Sequence, residues 1–279
     1  MITLIDADSI VYIVGWNLRE RSPDEEGIID ELGQQLDAFV HGILQITQAD
    51  HYAGYFSCPT DKCFRTQIAT FKPYKGNRPE KPEWIRTWEP HIKKWLTDMW
   101  GFVQAADVEA DDCVASVAHL IMSTMDFSVC IASNDKDLKQ VPCAHYSYKT
   151  RKIEDIGKKE AYHLLWKQIL TGDAVDGISG IPGIGKVKAE KILVAHDLDE
   201  YPQVVENEFV KYFGEKEGIR MFVETKQLVE LKDMWWEQSG IMYQVVKPYD
   251  REAARVAIQN NPVYNQYYRN NEVSYSDLL

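Results

Sequence analysis

Short apolar, β-branched runs that end in acidic residues, alternating with stretches of helical periodicity, set the strongest limit on how this chain folds. Met1 to Ile5 is such a run and leads into Asp6-Ala7-Asp8; His51 to Phe56 and Phe127 to Ala132 repeat the pattern. Helical periodicity occupies Leu32 to Ile46 and Asp112 to Met122 between them. Continuous apolar runs suit strands buried on both faces, and strands alternating with helices imply an α/β fold with a mostly parallel sheet flanked by helices. In such sheets ligands bind outside the carboxyl ends of the strands. Acidic residues stand where a site is expected: Asp6 and Asp8 follow the first run, and Asp135 and Asp137 follow the third.

Beyond about Trp166 the pattern changes. Gly172, Gly177, Gly180, Pro182, Gly183 and Gly185 crowd together ahead of a helical stretch, Lys186 to Val194. The expected division is a core over residues 1–165 and a second, helical part over 166–279. The latter ends in a segment rich in aromatics, including Trp235, Trp236, Tyr243, Tyr264, Tyr267 and Tyr268.

A net charge of −12 over 279 residues would ordinarily argue against a polyanionic partner. The average hides an asymmetry, because nine basic residues between Lys62 and Lys94 face only Glu80, Glu83 and Glu89. Five cysteines without a CxxC pair suggest neither a disulfide framework nor a four-ligand zinc site. The N-terminus has no basic region followed by a cleavage site, and Val114 to Met122 falls far short of a membrane span. A soluble, cytoplasmic protein without a membrane partner is expected.

Nine carboxylates fall in four clusters: Asp6 and Asp8; Glu109, Asp111 and Asp112; Asp135 and Asp137; Asp173 and Asp176. Each cluster alone has an ordinary explanation in helix capping or turn formation. Together, at converging strand ends, they would repel one another unless cations neutralise them, and hard oxygen ligands suit Mg²⁺ or Mn²⁺. Paired carboxylate-bound metals serve phosphodiester hydrolysis without a side-chain nucleophile. The scattered histidines offer no alternative catalytic arrangement.

Within the basic strip, Lys72, Lys75 and Arg78 are candidates to contact phosphates, with Tyr74, Trp84 or Trp88 to stack on a base. Gly180-Ile-Pro-Gly183-Ile-Gly185-Lys186-Val-Lys188 brings glycine backbone and lysines to a helix start, a setting for phosphate contact. It is neither a Walker A loop nor a dinucleotide fingerprint.

The ordered motifs Asp-Ala-Asp, Tyr-Lys-Gly-Asn-Arg, Glu-Ala-Asp-Asp, Ser-Asn-Asp-Lys-Asp, Gly-Asp-Ala-Val-Asp-Gly and Ile-Pro-Gly-Ile-Gly-Lys resemble those of flap endonuclease-like 5′ nucleases over about Met1 to Leu193. The resemblance implies a PIN-like core followed by a helix-three-turn-helix element that grips duplex DNA. It implies two Mg²⁺ or Mn²⁺ ions on Asp6, Glu109, Asp111, Asp112, Asp135, Asp137, Asp173 and Asp176. Lys75 and Arg78 would face the scissile phosphate, and Arg65 would be a further phosphate contact. The Gly183 to Lys186 hairpin would bind backbone phosphates and hold a K⁺ ion. Two departures stand out: Ser57 or Cys58 occupies the place of another metal-site Asp, with Asp61 the nearest substitute, and the interval from Arg78 to Glu109 is short for a threading arch. The implied activity is metal-dependent 5′-to-3′ hydrolysis of DNA at an end, nick or flap, extending to RNA–DNA hybrids, in phage or bacterial replication. A non-cleaving branched-DNA-binding protein and a PIN-type ribonuclease are the alternatives.

Overall fold

The computed structural model describes residues 1–231 and 246–254. The aromatic positions from Trp235 to Tyr243 and from Tyr264 onward lie outside the described residues.

The first apolar run forms β1 (Ile2–Asp6), buried along its whole length because it pairs in parallel with β2 (His51–Phe56) on one side and β4 (Val129–Ala132) on the other. Adding β3 (Val103–Gln104), β5 (Ala144–Tyr146) and β6 (Ile153–Asp155) gives the order β3-β2-β1-β4-β5-β6. Only the last pairing on this path, β5 with β6, is antiparallel; Lys247–Pro248 adds a second antiparallel contact, on β2. The chain winds outward from β1 through β2 to β3 and then returns to place β4 on the other side of β1. The switch point therefore lies between β1 and β4, where a parallel α/β sheet opens its ligand crevice. Asp6 ends β1 there, and Ser133 follows β4.

Alternation along the strands feeds two cores. Ile2, Leu4 and Tyr55 face one layer, whereas Ile5, Tyr52 and Phe56 face the other. The second layer is built by α1 (Asp8–Asn17), α2 (Ile28–Ile46) and α4 (Glu83–Trp100), which buries Ile85, Trp88, Ile92, Leu96 and Trp100 at helical spacing. The short α3 (Phe64–Ile68) lies between β2 and α4 in the chain. The first layer is built by α5 (Ala110–Thr124) and by the later helices α6 (Lys158–Thr171), α7 (Lys186–Leu193), α8 (Tyr201–Phe213) and α9 (Glu215–Val229). Position 165 falls inside α6. The first core runs without interruption from Ile2 and Leu4 through Trp166 to Met221, Phe222 and Leu231. Between α6 and α7 the glycine-rich stretch forms a two-stranded hairpin, β7 (Gly172–Asp173) with β8 (Ile178–Ser179). Gly172 sits at φ +66°, and a Cβ on it would lie 2.2 Å from Gly180 N. Glycine is required at that crossing.

Candidate active site

The acids gather above the switch point, and each is held by its own local structure. Asp6 accepts a hydrogen bond from Ser133 Oγ at 2.6 Å and from the Asp8 amide at 3.2 Å. Ser133 Oγ in turn accepts from the Asp135 amide at 2.9 Å, and Asp135 Oδ1 accepts from the Asp137 amide at 2.8 Å. The Ser-Asn-Asp-Lys-Asp motif is thus a turn that folds back on β1 through Ser133. Glu109 caps α5, forming a reciprocal capping box with Asp112.

These carboxylates fall into two groups. Glu109 receives Lys75 Nζ and the Tyr74 hydroxyl, with Arg65 Nη1 at 3.3 Å. Asp112 takes both forks of Arg65, one of them Nη2 to Oδ1 at 2.8 Å. Asp176 pairs with Arg78 at 2.5 Å, and Asp173 with Lys136 at 2.7 Å. Burial works against the charged form of Glu109, but Lys75 and then Arg65 outweigh it and hold the carboxyl below its ordinary range. Asp173 is lowered in the same way, with Lys136 overcoming burial.

By contrast, Asp6, Asp111 and Asp135 form no ion pair among the described residues. Burial, then Asp8 and Asp135, push the Asp6 carboxyl up to about 7. Asp111 is raised by burial and by Asp112, and Asp135 by lost hydration and Asp176. Asp137 is raised to about 6, first by burial and then by Asp135; Lys136 stands 3.7 Å from it but gives its closer contact to Asp173. As they stand, no three His, Cys, Asp or Glu side chains among the described residues converge tightly enough to enclose an ion. The donor set nonetheless fits a hard divalent cation: oxygen ligands only, crowded, partly desolvated and short of positive charge.

Lys75 and Arg78 reach the acids on a loop that docks on the turn after β7. Lys75 N donates to Asp176 O at 2.8 Å, and Asn77 Nδ2 to Ala174 O at 2.9 Å. Gly177, at φ +75°, lets Pro73 O approach to 2.9 Å of where a Cβ would be. Lys75, Arg78, Asp8, Tyr12, Ser57 and Lys93 are among the residues lining a cleft of about 300 Å³ that also reaches Glu109. A wider groove of about 870 Å³ runs between Lys72, Gly76 and Asn77 on one side and Gly183 and Gly185 on the other. Lys186 and Lys188 are exposed in the first turn of α7 beside it. A Cβ placed on Gly183 or Gly185 would meet no heavy atom within 4 Å, so their backbone lies open.

Several expectations are corrected. Arg65 is 2% exposed and spends its donors on Asp112, Glu109 and Leu228 O, so it is an internal counter-ion and makes no surface phosphate contact. Asp112 has both oxygens on that guanidinium, which makes it a holder of Arg65 in this arrangement. Tyr74 is 6% exposed, with its hydroxyl on Glu109 and 3.3 Å from Asp176, and Trp88 is buried with Nε1 on Leu18 O; neither ring is free to stack on a base. Part of the basic strip is neutralised locally: Lys81 and Lys93 pair with Glu89, Arg86 with Glu80, and Lys94 with Asp98. Ser57 supplies no ligand but accepts the Ala110 amide at 2.9 Å, and Cys58 is buried, its thiol pushed up to about 12 by burial and by Cys63. Asp61 is exposed on the outer turn Thr60–Lys62.

One contributor has no local signal in the sequence. Glu224 on α9 accepts the Thr70 and Phe71 amides at 2.8 and 3.0 Å and the Thr70 hydroxyl, anchoring the start of the loop that carries Lys72, Lys75 and Arg78. The same helix receives Arg65 through Leu228 O and binds Ser179 O through Thr225 Oγ1 at 3.0 Å.

The chain is thus an α/β fold, a mainly parallel sheet flanked by helices, with acids at the switch point between its central strands. The chain belongs to the 5′-3′ exonuclease family: residues 1–164 match the family described as 5′-3′ exonuclease, N-terminal resolvase-like domain. It is 34% identical over 146 residues to DNA polymerase I of Bacillus subtilis, covering 47% of this chain but 16% of that protein. It is 32% identical over 196 residues to flap endonuclease Xni of Shewanella amazonensis, covering 66% of this chain and 76% of the relative. In three dimensions it is similar to the T5 D15 protein co-crystallised with metal ions, at a TM-score of 0.64 and 15% identity, over 87% of this chain and 93% of that one. No helix among the described residues is long and apolar enough to cross a membrane.

Proposed function

We propose that this chain is a divalent-metal-dependent 5′ nuclease that hydrolyses DNA phosphodiesters at a 5′ end, nick or flap, and also RNA strands paired with DNA. The observation that carries the reading is the group Asp6, Asp111 and Asp135, without an ion pair among the described residues, with Asp137 next to it and Lys75 and Arg78 beside it. Those four carboxylates would hold Mg²⁺ or Mn²⁺, with Asp173 and Asp176 completing a second position. When bound, such ions supply the positive charge that activates water and stabilises the leaving oxygen. Membership of the exonuclease family and the metal-bound T5 neighbour support this assignment.

The chain's own part is to bind and orient. Lys75 and Arg78, now paired with Glu109 and Asp176, exchange these partners for the non-bridging oxygens of the scissile phosphate and stabilise charge developing there. Tyr74 and Arg65 keep Glu109 in place while Lys75 turns outward. A new P–O bond forms to the attacking water, the P–O3′ bond breaks, and the products are a 3′-hydroxyl and a 5′-phosphate. Lys72, Lys186 and Lys188 bind duplex phosphates without reading sequence, and the open backbone at Gly183 and Gly185 admits a phosphate or a K⁺ ion, as a helix-three-turn-helix element would.

The test uses nicked, recessed and 5′-flapped duplexes, DNA or RNA in the cut strand, labelled separately at each end and incubated with Mg²⁺, Mn²⁺ or EDTA. Metal-dependent release from the 5′ side is expected, lost in Asp111→Ala and Asp135→Ala. Undiminished cleavage in both variants overturns the site, and stable binding without cleavage in either metal turns the chain into a DNA-binding module.

A further inference from the structure

Beside the cleft that holds Lys75 and Arg78, one face of α1 presents aromatic side chains to solvent. Tyr12 and Trp16, four residues apart, share that face, and Arg19 follows in the turn just past the end of the helix. Tyr12 is 47% exposed and Trp16 54%, which is too open for rings whose purpose is packing. Trp84 from α4 stands between them, its ring 6.4 Å from Tyr12 and 5.7 Å from Trp16, edge to face in both cases. Arg19 closes the row with its guanidinium 4.2 Å from the Trp16 ring centre, held there by Nη1 donating to Trp16 O at 2.9 Å. The row is continuous with the candidate active site, because Tyr12 also lines the cleft that contains Lys75, Arg78 and Lys93.

The backbone is adapted to this arrangement. Gly15, in the interior of α1, costs helix stability of about 1 kcal/mol relative to alanine. A Cβ there would lie 3.1 Å from Trp84 Cζ3, so any larger residue would make the indole shift by a few tenths of an ångström. The result is three rings and a planar cation leading away from the cleft.

We propose that Trp16, Trp84 and Arg19 form a stacking ledge for unpaired nucleotides that continue from the strand held in the cleft. The inference rests on the nuclease reading and adds to it a subsite for single-stranded nucleic acid. Every base has a π-face, aromatic rings and guanidinium planes both stack on it, and a cationic cleft draws the attached phosphates, so recognition is independent of sequence. A duplex nick with no unpaired nucleotide does not reach this ledge.

Two measurements on the full chain test it. The first compares Kd, in EDTA, for a 5′-phosphorylated ten-nucleotide oligo-dT and for a blunt duplex of matched length. The second compares KM in Mg²⁺ for a 5′-flapped and a nicked duplex. Trp16→Ala is expected to shift the single-strand to duplex ratio, and the flap to nick ratio, by roughly 5- to 30-fold, the size of one lost base stack. Trp16→Phe should recover most of that shift, and Met99→Ala, exposed on α4 at 62%, should move neither ratio. Equal losses on both substrates, or no loss on either, overturn the ledge. If cleavage is normal and neither ratio moves, the ledge falls and the nuclease stands; if nothing is cleaved but the binding ratio shifts, the reverse holds.

Discussion

The two halves of the acid cluster are alike in composition and opposite in electrostatics. Around Glu109, Asp112, Asp173 and Asp176 the protein provides its own cations in Lys75, Arg65, Lys136 and Arg78. Asp6, Asp111 and Asp135 form no ion pair among the described residues; Arg65 acts on Asp111, and Lys136 and Lys75 on Asp135, only at a distance, and lost hydration with mutual repulsion raises all three carboxyls. A protein gains nothing in stability from packing unpaired carboxylates together. The compensated half shows that the fold can place a cation against an acid where structure requires it, as Arg65 against Asp112, so the bare half is the part that an outside cation completes first.

The sharpest way to break this comparison is to neutralise one acid from the bare half. Asp111→Asn or Asp135→Asn should lower kcat by a factor on the order of 10³ or more while leaving Tm in EDTA unchanged or raised, since each removes repulsion and no hydrogen-bonded cation loses its partner. Single-turnover kinetics on a nicked duplex, with thermal melts in EDTA, measure both. A fall in Tm with little loss of rate would exchange the roles of the two halves.

The opposite result is expected from the compensated half. Arg65→Met strands Asp112 as a buried carboxylate, while Glu109 keeps Lys75, and should cost about 3–5 kcal/mol of stability, read from urea unfolding. The double variant Arg65→Met, Asp112→Leu should recover much of that loss, because replacing both partners of a buried pair by apolar groups is often close to neutral. Failure of the double variant to recover would mean that the guanidinium is needed for more than Asp112.

The two halves also differ in the sign of their pH dependence. Asp6 and Asp137 have carboxyls raised to about 7 and about 6, so between their unfolded values near 4 and these figures the folded protein holds protons that the unfolded chain releases. Stability in EDTA therefore falls as pH rises through that window. Glu109 and Asp173 are lowered, so their contribution is present above the unfolded values and is lost as pH drops through the folded ones. Thermal melts in EDTA should accordingly peak at about pH 4–5. Asp6→Asn should flatten the alkaline limb, gaining ~1–3 kcal/mol at pH 8, and Mg²⁺ should raise Tm most on that same limb. An alkaline limb unaltered by both changes would remove Asp6 from the site.

How far the sequence reached follows from the range of the forces involved. The alternation of strands and helices, and the acids at strand ends, were legible because they are set by neighbours in the chain: β1 reads as Ile2–Asp6 and α5 as Ala110–Thr124, each within two residues of the predicted stretch. Which acids would be compensated was not legible. Arg65 meets Asp112 across 47 residues and Arg78 meets Asp176 across 98, and nothing in Tyr-Lys-Gly-Asn-Arg or Glu-Ala-Asp-Asp encodes that pairing. Burial was misjudged for the same reason: Tyr74 sits in a basic loop that looks exposed, but its hydroxyl is drawn inward to Glu109 and Asp176, 35 and 102 residues away. Trp16 lies in the short helix α1 and Arg19 in the turn after it, and their alignment with Trp84 needs α4 to pack alongside.

The smallest expected effect tests the longest of these connections. Glu224 reaches Thr70 and Phe71 across more than 150 residues, and α9 also holds Arg65 through Leu228 O and the β8 end through Thr225, so one helix ties the basic loop, the internal counter-ion and the glycine-rich hairpin together. Glu224→Gln keeps the size of the side chain but weakens its acceptance of two amides, at a cost of about 1–3 kcal/mol. Because the loop it anchors carries Lys72, Lys75 and Arg78, KM for a nicked duplex should rise roughly 3- to 10-fold with kcat changed less, and binding should lose part of its salt dependence as phosphate contacts loosen. If the stability loss appears with KM, kcat and the salt slope all unchanged, Glu224 merely packs α9 against the loop and the positioning of Lys75 belongs to the Asp176 turn alone.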